Sequence, residues 1–261
     1  MKTVMTLGAL MLALLLPQAG SAQGFNQEVF DIFVEARAGK GGAPVYWYSF
    51  GEVYSYPEGR LLLRIEGFDT GRLLRDENAR NVAYQLSRKI FVYEDAATGK
   101  ILKEYNGQPV THIQYPYQYI TYRLEGDRLV TFVEQGSGAR LQKIGPGDKF
   151  LARRMGETIV YSAPLFLNME TPAGRYEAYE NYDFFIRPKA AAPRDRYQLS
   201  WVRYGDLPRF VGSGKAILQM VAYRVERFED LPAALREYVM REAPLWKEPP
   251  RDLEEIRKLQ K

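Results

Sequence analysis

A single histidine, His112, sets the first limit on chemistry in this chain of 261 residues. A serine hydrolase needs a base beside its nucleophile, and no Gly-x-Ser-x-Gly elbow surrounds any serine. With one histidine and no cysteine, histidine clusters, thiolate metal sites, disulfides and cysteine nucleophiles are all excluded. The carboxylates follow no calcium-loop spacing, so no metal is expected, although an all-oxygen site stays open. Gly145-Pro146-Gly147-Asp148-Lys149 places glycines near a lysine but not in P-loop order, and it reads as a turn. What remains is acid–base chemistry by carboxyls among aromatic strands, where burial raises a carboxyl pKa toward neutrality. Glu66, His112 and Asp183 are the candidates for such catalysis on a small organic substrate.

The larger anomaly is 19 tyrosines beside 13 phenylalanines and 3 tryptophans. Side chains two apart on a strand share a face. Tyr46 and Tyr48 therefore align with Phe50, Tyr54 and Tyr56, Tyr115 with Tyr117 and Tyr119, and Tyr182 with Phe184. If the strands close into a barrel, one set points inward and presents rings and hydroxyls to a ligand. Tyr46, Tyr48, Tyr117, Tyr119, Tyr182 and Trp201 are the expected lining of a cavity for a small, partly apolar or aromatic ligand. Tyrosine also packs cross-strand pairs in any sheet. A third reading is thus an envelope protein whose aromatic strands face a partner or glycan.

The elements that must position these residues follow from punctuation. Residues 25–38 repeat apolar positions at spacings of three and four behind Asn26, the pattern of a capped helix. From residue 44 to 226, β-branched and aromatic runs alternate with turn signals. The runs are 45–56, 60–68, 81–94, 100–105, 117–124, 128–135, 158–168, 175–186, 196–204 and 215–226. Short turns, such as Pro57-Glu58-Gly59, Asp69-Thr70-Gly71 and Glu125-Gly126-Asp127, favour antiparallel pairing. The expectation is a mainly β protein, an antiparallel barrel of about ten strands with N- and C-terminal flanking helices. Asp230 is the expected N-cap of one closing helix, and 252–261 forms a second with acids first and bases last.

Composition bounds the setting. With 46% hydrophobic and 26% charged residues the chain is of the folding kind. Its 36 basic against 32 acidic residues are interspersed, which excludes nucleic acid as the expected partner. Residues 1–22 read as an export signal: Lys2, an apolar run over 4–16, then Ala19-Gly20-Ser21-Ala22. That run is shorter than the roughly 20 residues that cross a bilayer, and no second apolar span follows. Residues 23–261 would then form one domain, periplasmic or secreted. No residue pattern implies a cofactor or an oligomeric state.

In order, Tyr46-Trp47, Gly51-Glu52-Val53-Tyr54, Glu66-Gly67 within 63–68, and the run from Tyr93 through Asp95-Ala96-Ala97-Thr98-Gly99 to Leu102 resemble one bacterial family. Trp201-Val202-Arg203-Tyr204-Gly205-Asp206-Leu207-Pro208, Leu231-Pro232 and Ala243-Pro244 continue the likeness, which spans about 45–250. The family is known as domain of unknown function 1838. The resemblance implies an often exported, lipocalin-like antiparallel barrel, and it brings no catalytic residue or ligand. After Leu102 the family pattern of an aromatic, Asn-Pro and a second Thr-Gly gives way here to Tyr105-Asn106-Gly107-Gln108. The protein recovered from outside the cytoplasm should begin at Gln23; N-terminal sequencing that instead finds Met1 there would contradict the signal reading.

Overall fold

The computed structural model describes residues 24–75, 79–137, 140–171 and 174–260. The expected export segment, 1–22, lies outside the described residues. Along the strands β-branched and aromatic residues fit a pleated surface covered on both faces. They form β1 (Val45–Tyr56), β2 (Leu61–Leu74), β3 (Val82–Asp95), β4 (Glu104–Tyr105), β5 (Gln108–Pro109), β6 (Ile113–Glu125), β7 (Arg128–Ser137) and β8 (Arg140–Gly147). The chain continues through β9 (Leu151–Met155), β10 (Thr158–Thr171), β11 (Gly174–Ile186), β12 (Tyr197–Asp206) and β13 (Lys215–Val225).

Eleven strands make one antiparallel sheet in the order β8-β7-β6-β3-β2-β1-β13-β12-β11-β10-β9. Two meanders thus meet where β1 pairs with β13, from Tyr46 opposite Val225 to Tyr56 opposite Lys215. The sheet curls into a half-barrel, consistent with a lipocalin-like barrel. Between β6 and β7 the expected turn is present, with Gly126 at φ 64. A small separate hairpin, β4–β5, turns on Asn106 and Gly107 at φ 50 and φ 78, the two left-handed residues of a type I′ turn. Gly67 sits mid-strand in β2, where a Cβ would strike the Ile90 carbonyl and the Phe91 ring of β3. Only glycine permits that approach.

Two expectations about turns and helices are corrected. Asp69-Thr70-Gly71 does not end a strand: β2 runs through it, because Asp69 and Thr70 are buried and hydrogen-bonded, Thr70 Oγ1 donating to the Val45 carbonyl at 3.1 Å. Asp230 closes a short 3-10 turn, where its carboxylate accepts from the Arg227 N–H; the following helix starts behind Pro232.

The helices divide between the two faces. α1 (Gln27–Ala38) begins as expected, Asn26 Oδ1 accepting from the Val29 N–H at 2.9 Å. This N-terminal flanking helix lies against the concave side, where Phe30, Phe33 and Val34 pack among Trp47, Tyr161 and Phe184. Three bonds tie it there: Trp47 Nε1 donates to the Ala36 carbonyl at 3.0 Å, the Tyr161 hydroxyl to the Val29 carbonyl at 3.0 Å, and the Tyr197 hydroxyl to Glu35 at 3.0 Å. Beyond a four-residue helix, α2 (Pro193–Arg196), α3 (Ala233–Glu242) covers the convex face of β1–β3. α4 (Leu253–Leu259), capped by Asp252, sets Ile256 on Leu86 and Tyr117.

Phe33 is the centre of the concave core, with the rings of Tyr122, Phe150, Tyr161 and Phe184 at 5.2 to 5.7 Å. Phe33→Ala should cost about 3–5 kcal/mol. Phe166→Ala, at a site 68% exposed, should change stability by less than about 0.5 kcal/mol. Urea denaturation of the two variants side by side checks the contrast; equal losses would mean that α1 is not the plug.

Candidate functional site

Alternation along each strand decides what lines the space that α1 leaves. β3 turns Lys89, Phe91 and Tyr93 inward, β11 turns Tyr176, Glu180 and Tyr182, and β12 turns Trp201 and Arg203. They surround a cavity of about 540 Å³, within the roughly 300–1,000 Å³ range of small-ligand sites. Phe33 and Arg37 of α1 form its floor. At the other end, Tyr105 of the β4–β5 hairpin and the segment 207–211 pack over the wall, Phe210 lying 5.1 Å from the Tyr93 ring and 6.2 Å from Tyr105.

Charges inside this wall are matched, as burial demands. Arg37 pairs with Asp69 at 3.3 Å, and Ser87 donates to the other Asp69 oxygen. Arg203 pairs with Glu180 at 3.5 Å and donates to the Tyr176 hydroxyl at 2.7 Å. Tyr182 donates to Glu180 at 2.6 Å while its ring lies nearly parallel to Trp201 at 5.3 Å. Lys89 differs: its Nζ stands 6.0 Å from the Phe91 ring centre and 5.9 Å from Trp201, with no carboxylate in ion-pair range among the described residues.

Burial pushes the Tyr93 phenol up to about 12 and raises Tyr115, Tyr122 and Tyr176 as well. For Tyr182, burial and then the Glu180 carboxylate act the same way. These phenols stay protonated at neutral pH and are poor bases; Tyr122 and Tyr182 already donate to Gln85 and Glu180, which leaves Tyr93, Tyr115 and Tyr176 to donate to a guest.

The six expected lining residues separate. Tyr182 and Trp201 line the cavity. Tyr46 and Tyr48 lie on the convex face under α3, and Tyr117 lies under α4. Tyr119 stacks on Tyr84 at 5.6 Å beside that same patch. The register shift of β3 against β6 between Ser87 and Lys89 explains part of this. It is a bulge, and a bulge exchanges the faces beyond it, leaving Tyr115 inward and Tyr117 outward. The catalytic candidates do not meet either. Glu66 is on the convex face of β2. His112 accepts from the Tyr93 N–H through Nδ1 at 3.1 Å, packs on Tyr238 of α3 at 5.5 Å, and is held below its usual pKa by burial. Asp183 accepts from Ser162 at 2.5 Å and Asn181 at 2.6 Å, away from both.

A family model described as a protein of unknown function, DUF1838, matches residues 42–259. The chain belongs to the DUF1838 family. No curated protein and no solved structure matches it. The matched region takes in every strand of this DUF1838 chain and all of the cavity wall except that contributed by α1. Among the described residues no helix is long and apolar enough to cross a membrane, and no group of three or more His, Asp or Glu is placed to hold a metal ion.

A second, shallower groove lies on the convex face of this DUF1838 protein, between Tyr48, Phe50, Glu52, Arg64, Glu66 and Glu94. Tyr48 donates to Glu66 at 2.7 Å. Burial, then the hydrogen bond and charge of Glu66, raise Glu94 to about 7, with Arg64 opposing. An acid whose folded pKa is raised favours folding below its unfolded pKa, and that contribution is lost as pH rises through the folded value. Stability should therefore decline between about pH 4.5 and pH 7 on account of this pair. Glu94→Gln should flatten that decline in a pH series of thermal melts; an unchanged slope would show that the two carboxyls do not share a proton.

Proposed function

We propose that this protein binds a small, partly aromatic organic ligand within its curled sheet. The observation that supports the reading is the cavity of about 540 Å³, closed by α1 at one end and walled by Trp201, Tyr182, Phe91 and Tyr93. A well-packed interior leaves few voids larger than a water molecule, so a space of this size with neutral phenols and paired ions on its wall is suited to a guest. Stacked rings offer apolar contact, and the phenols offer hydrogen bonds that select among apolar molecules. The setting proposed for it is outside the cytoplasm, on the strength of Lys2, the apolar run 4–16 and the small residues 19–22.

An enzyme acting by acid–base chemistry is the second reading, and it draws on the convex groove. A carboxyl titrating near neutrality beside a second carboxyl and a tyrosine has the composition of a general acid–base site. It is open and lies away from the cavity, so the two readings make separate demands.

Native mass spectrometry of the protein purified from the compartment to which it is exported tests the binding reading. A stoichiometric extra mass that disappears on denaturation is the expected result. Trp201→Ala with Tyr182→Ala should lose that mass while still folding. Retention of the mass by the double variant would place the ligand elsewhere, and a bare mass for the wild type would contradict tight carriage.

A further inference from the structure

We infer that the guest of this cavity is an organic anion, an aromatic body carrying one carboxylate or comparable acidic group, and that Lys89 is its anchor. The inference rests on the binding reading above and adds the charge of the ligand. Four cations, Arg37, Lys89, Arg203 and Arg209, line the cavity against three carboxylates, Asp69, Glu180 and Asp206. Arg37 and Arg203 already hold Asp69 and Glu180. Asp206 faces the mouth and is held by Lys215 at 2.6 Å. No carboxylate is left for Lys89, whose ammonium is flanked instead by the faces of Phe91 and Trp201.

Ring faces attract a cation but do not accept its N–H donors as an oxygen does. Beside it, the indole Nε1 of Trp201 is buried, on a residue only 9% exposed, and has no acceptor among the described residues. A buried donor without an acceptor is costly, and this one, beside a half-buried ammonium that no carboxylate pairs, defines where on the cavity wall an acceptor belongs. A carboxylate offers two oxygens and about four lone-pair directions, enough to take a bond from Lys89 and, with a small turn of the ring, from Trp201. The rest of the ligand would then lie along Tyr182 and Phe91.

Anilinonaphthalene sulfonate and N-phenyl-naphthylamine differ only in that the first carries a sulfonate, so they separate charge from ring contact. Calorimetric titration of the full chain should show the anionic dye binding one-to-one, about tenfold or more tighter than the neutral one, as one charge-assisted hydrogen bond would produce. Lys89→Met should bring the anionic dye down to the neutral dye's affinity without weakening the neutral dye, and Lys89→Arg should keep most of the preference. Equal affinities in the wild type, or a preference that survives Lys89→Met, would overturn the anion assignment and leave the cavity reading standing. Failure of both dyes to bind one-to-one would overturn the cavity reading itself, and the wild-type comparison holds even if a variant fails to fold.

Discussion

Laid flat, eleven strands would hold the outermost two about 48 Å apart, at about 4.8 Å for each neighbouring pair. In this chain those two strands, β8 and β9, are consecutive, with only residues 148–150 between them. Fully extended, that link reaches about 14 Å. The sheet therefore has to curl until the end of β8 and the start of β9 come within that reach, and everything else follows from that short connection. Curling creates a concave face, the concave face needs filling, and α1 fills only part of it. What α1 leaves is the cavity. The convex face, equally apolar over β1 to β3, needs its own cover, and α3 and α4 supply it.

That double covering explains what could and could not be read from the sequence. Strand positions were legible because turn residues punctuate them, and β1, β3, β11 and β13 lie within a residue or two of their expected bounds. The caps at Asn26 and Asp252 were legible for the same local reason. Which face points inward was not, since period-two patterning identifies a core face only when the other face meets water. On β1, Trp47 is buried by α1 while Tyr46 and Tyr48 are buried by α3, so both parities look like core. Aromatic weight favoured the tyrosine side, and the cavity took the other.

Arg88, on β3 opposite the bulge of β6, adds a second illegible step. Arg88 is 2% exposed, yet it is satisfied: it donates to the Pro116 carbonyl of β6 at 2.8 Å and, outside the sheet, to the Glu248 carbonyl at 2.6 Å and Glu255 at 2.5 Å. Burial works against ionised Glu255, but the Arg251 N–H and Arg88 outweigh it and hold that carboxyl at about 2. Two of the three partners, Glu248 and Glu255, lie more than 150 positions downstream, which no local pattern announces. One position further along β3, ordinary alternation puts Lys89 on the opposite face, into the cavity. A lone lysine in a strand reads as solvent-facing, and its isolation among paired ions becomes visible only once Arg37 and Arg203 have been brought to their carboxylates. By contrast, the pairing of Glu180 with Tyr182 follows from their spacing on one strand face.

The seam between the two meanders has a consequence for how the molecule comes into being. Nearly every strand pairs with a neighbour in sequence, so most of the sheet can zip as successive hairpins while the chain is still emerging from the ribosome. β3 reaches β6 across the small β4–β5 hairpin, and β1 is the far exception, because one of its two partners is β13, the last strand made. Until β13 arrives, β1 is a long open edge of the kind that recruits other chains, and its rings Tyr46, Trp47 and Tyr48 have neither helix nor sheet to shield them completely. Closing so distant a pair is intrinsically slow. The nascent protein thus carries its most adhesive strand first and its cover last, so the interval between them is when a chaperone has most to do.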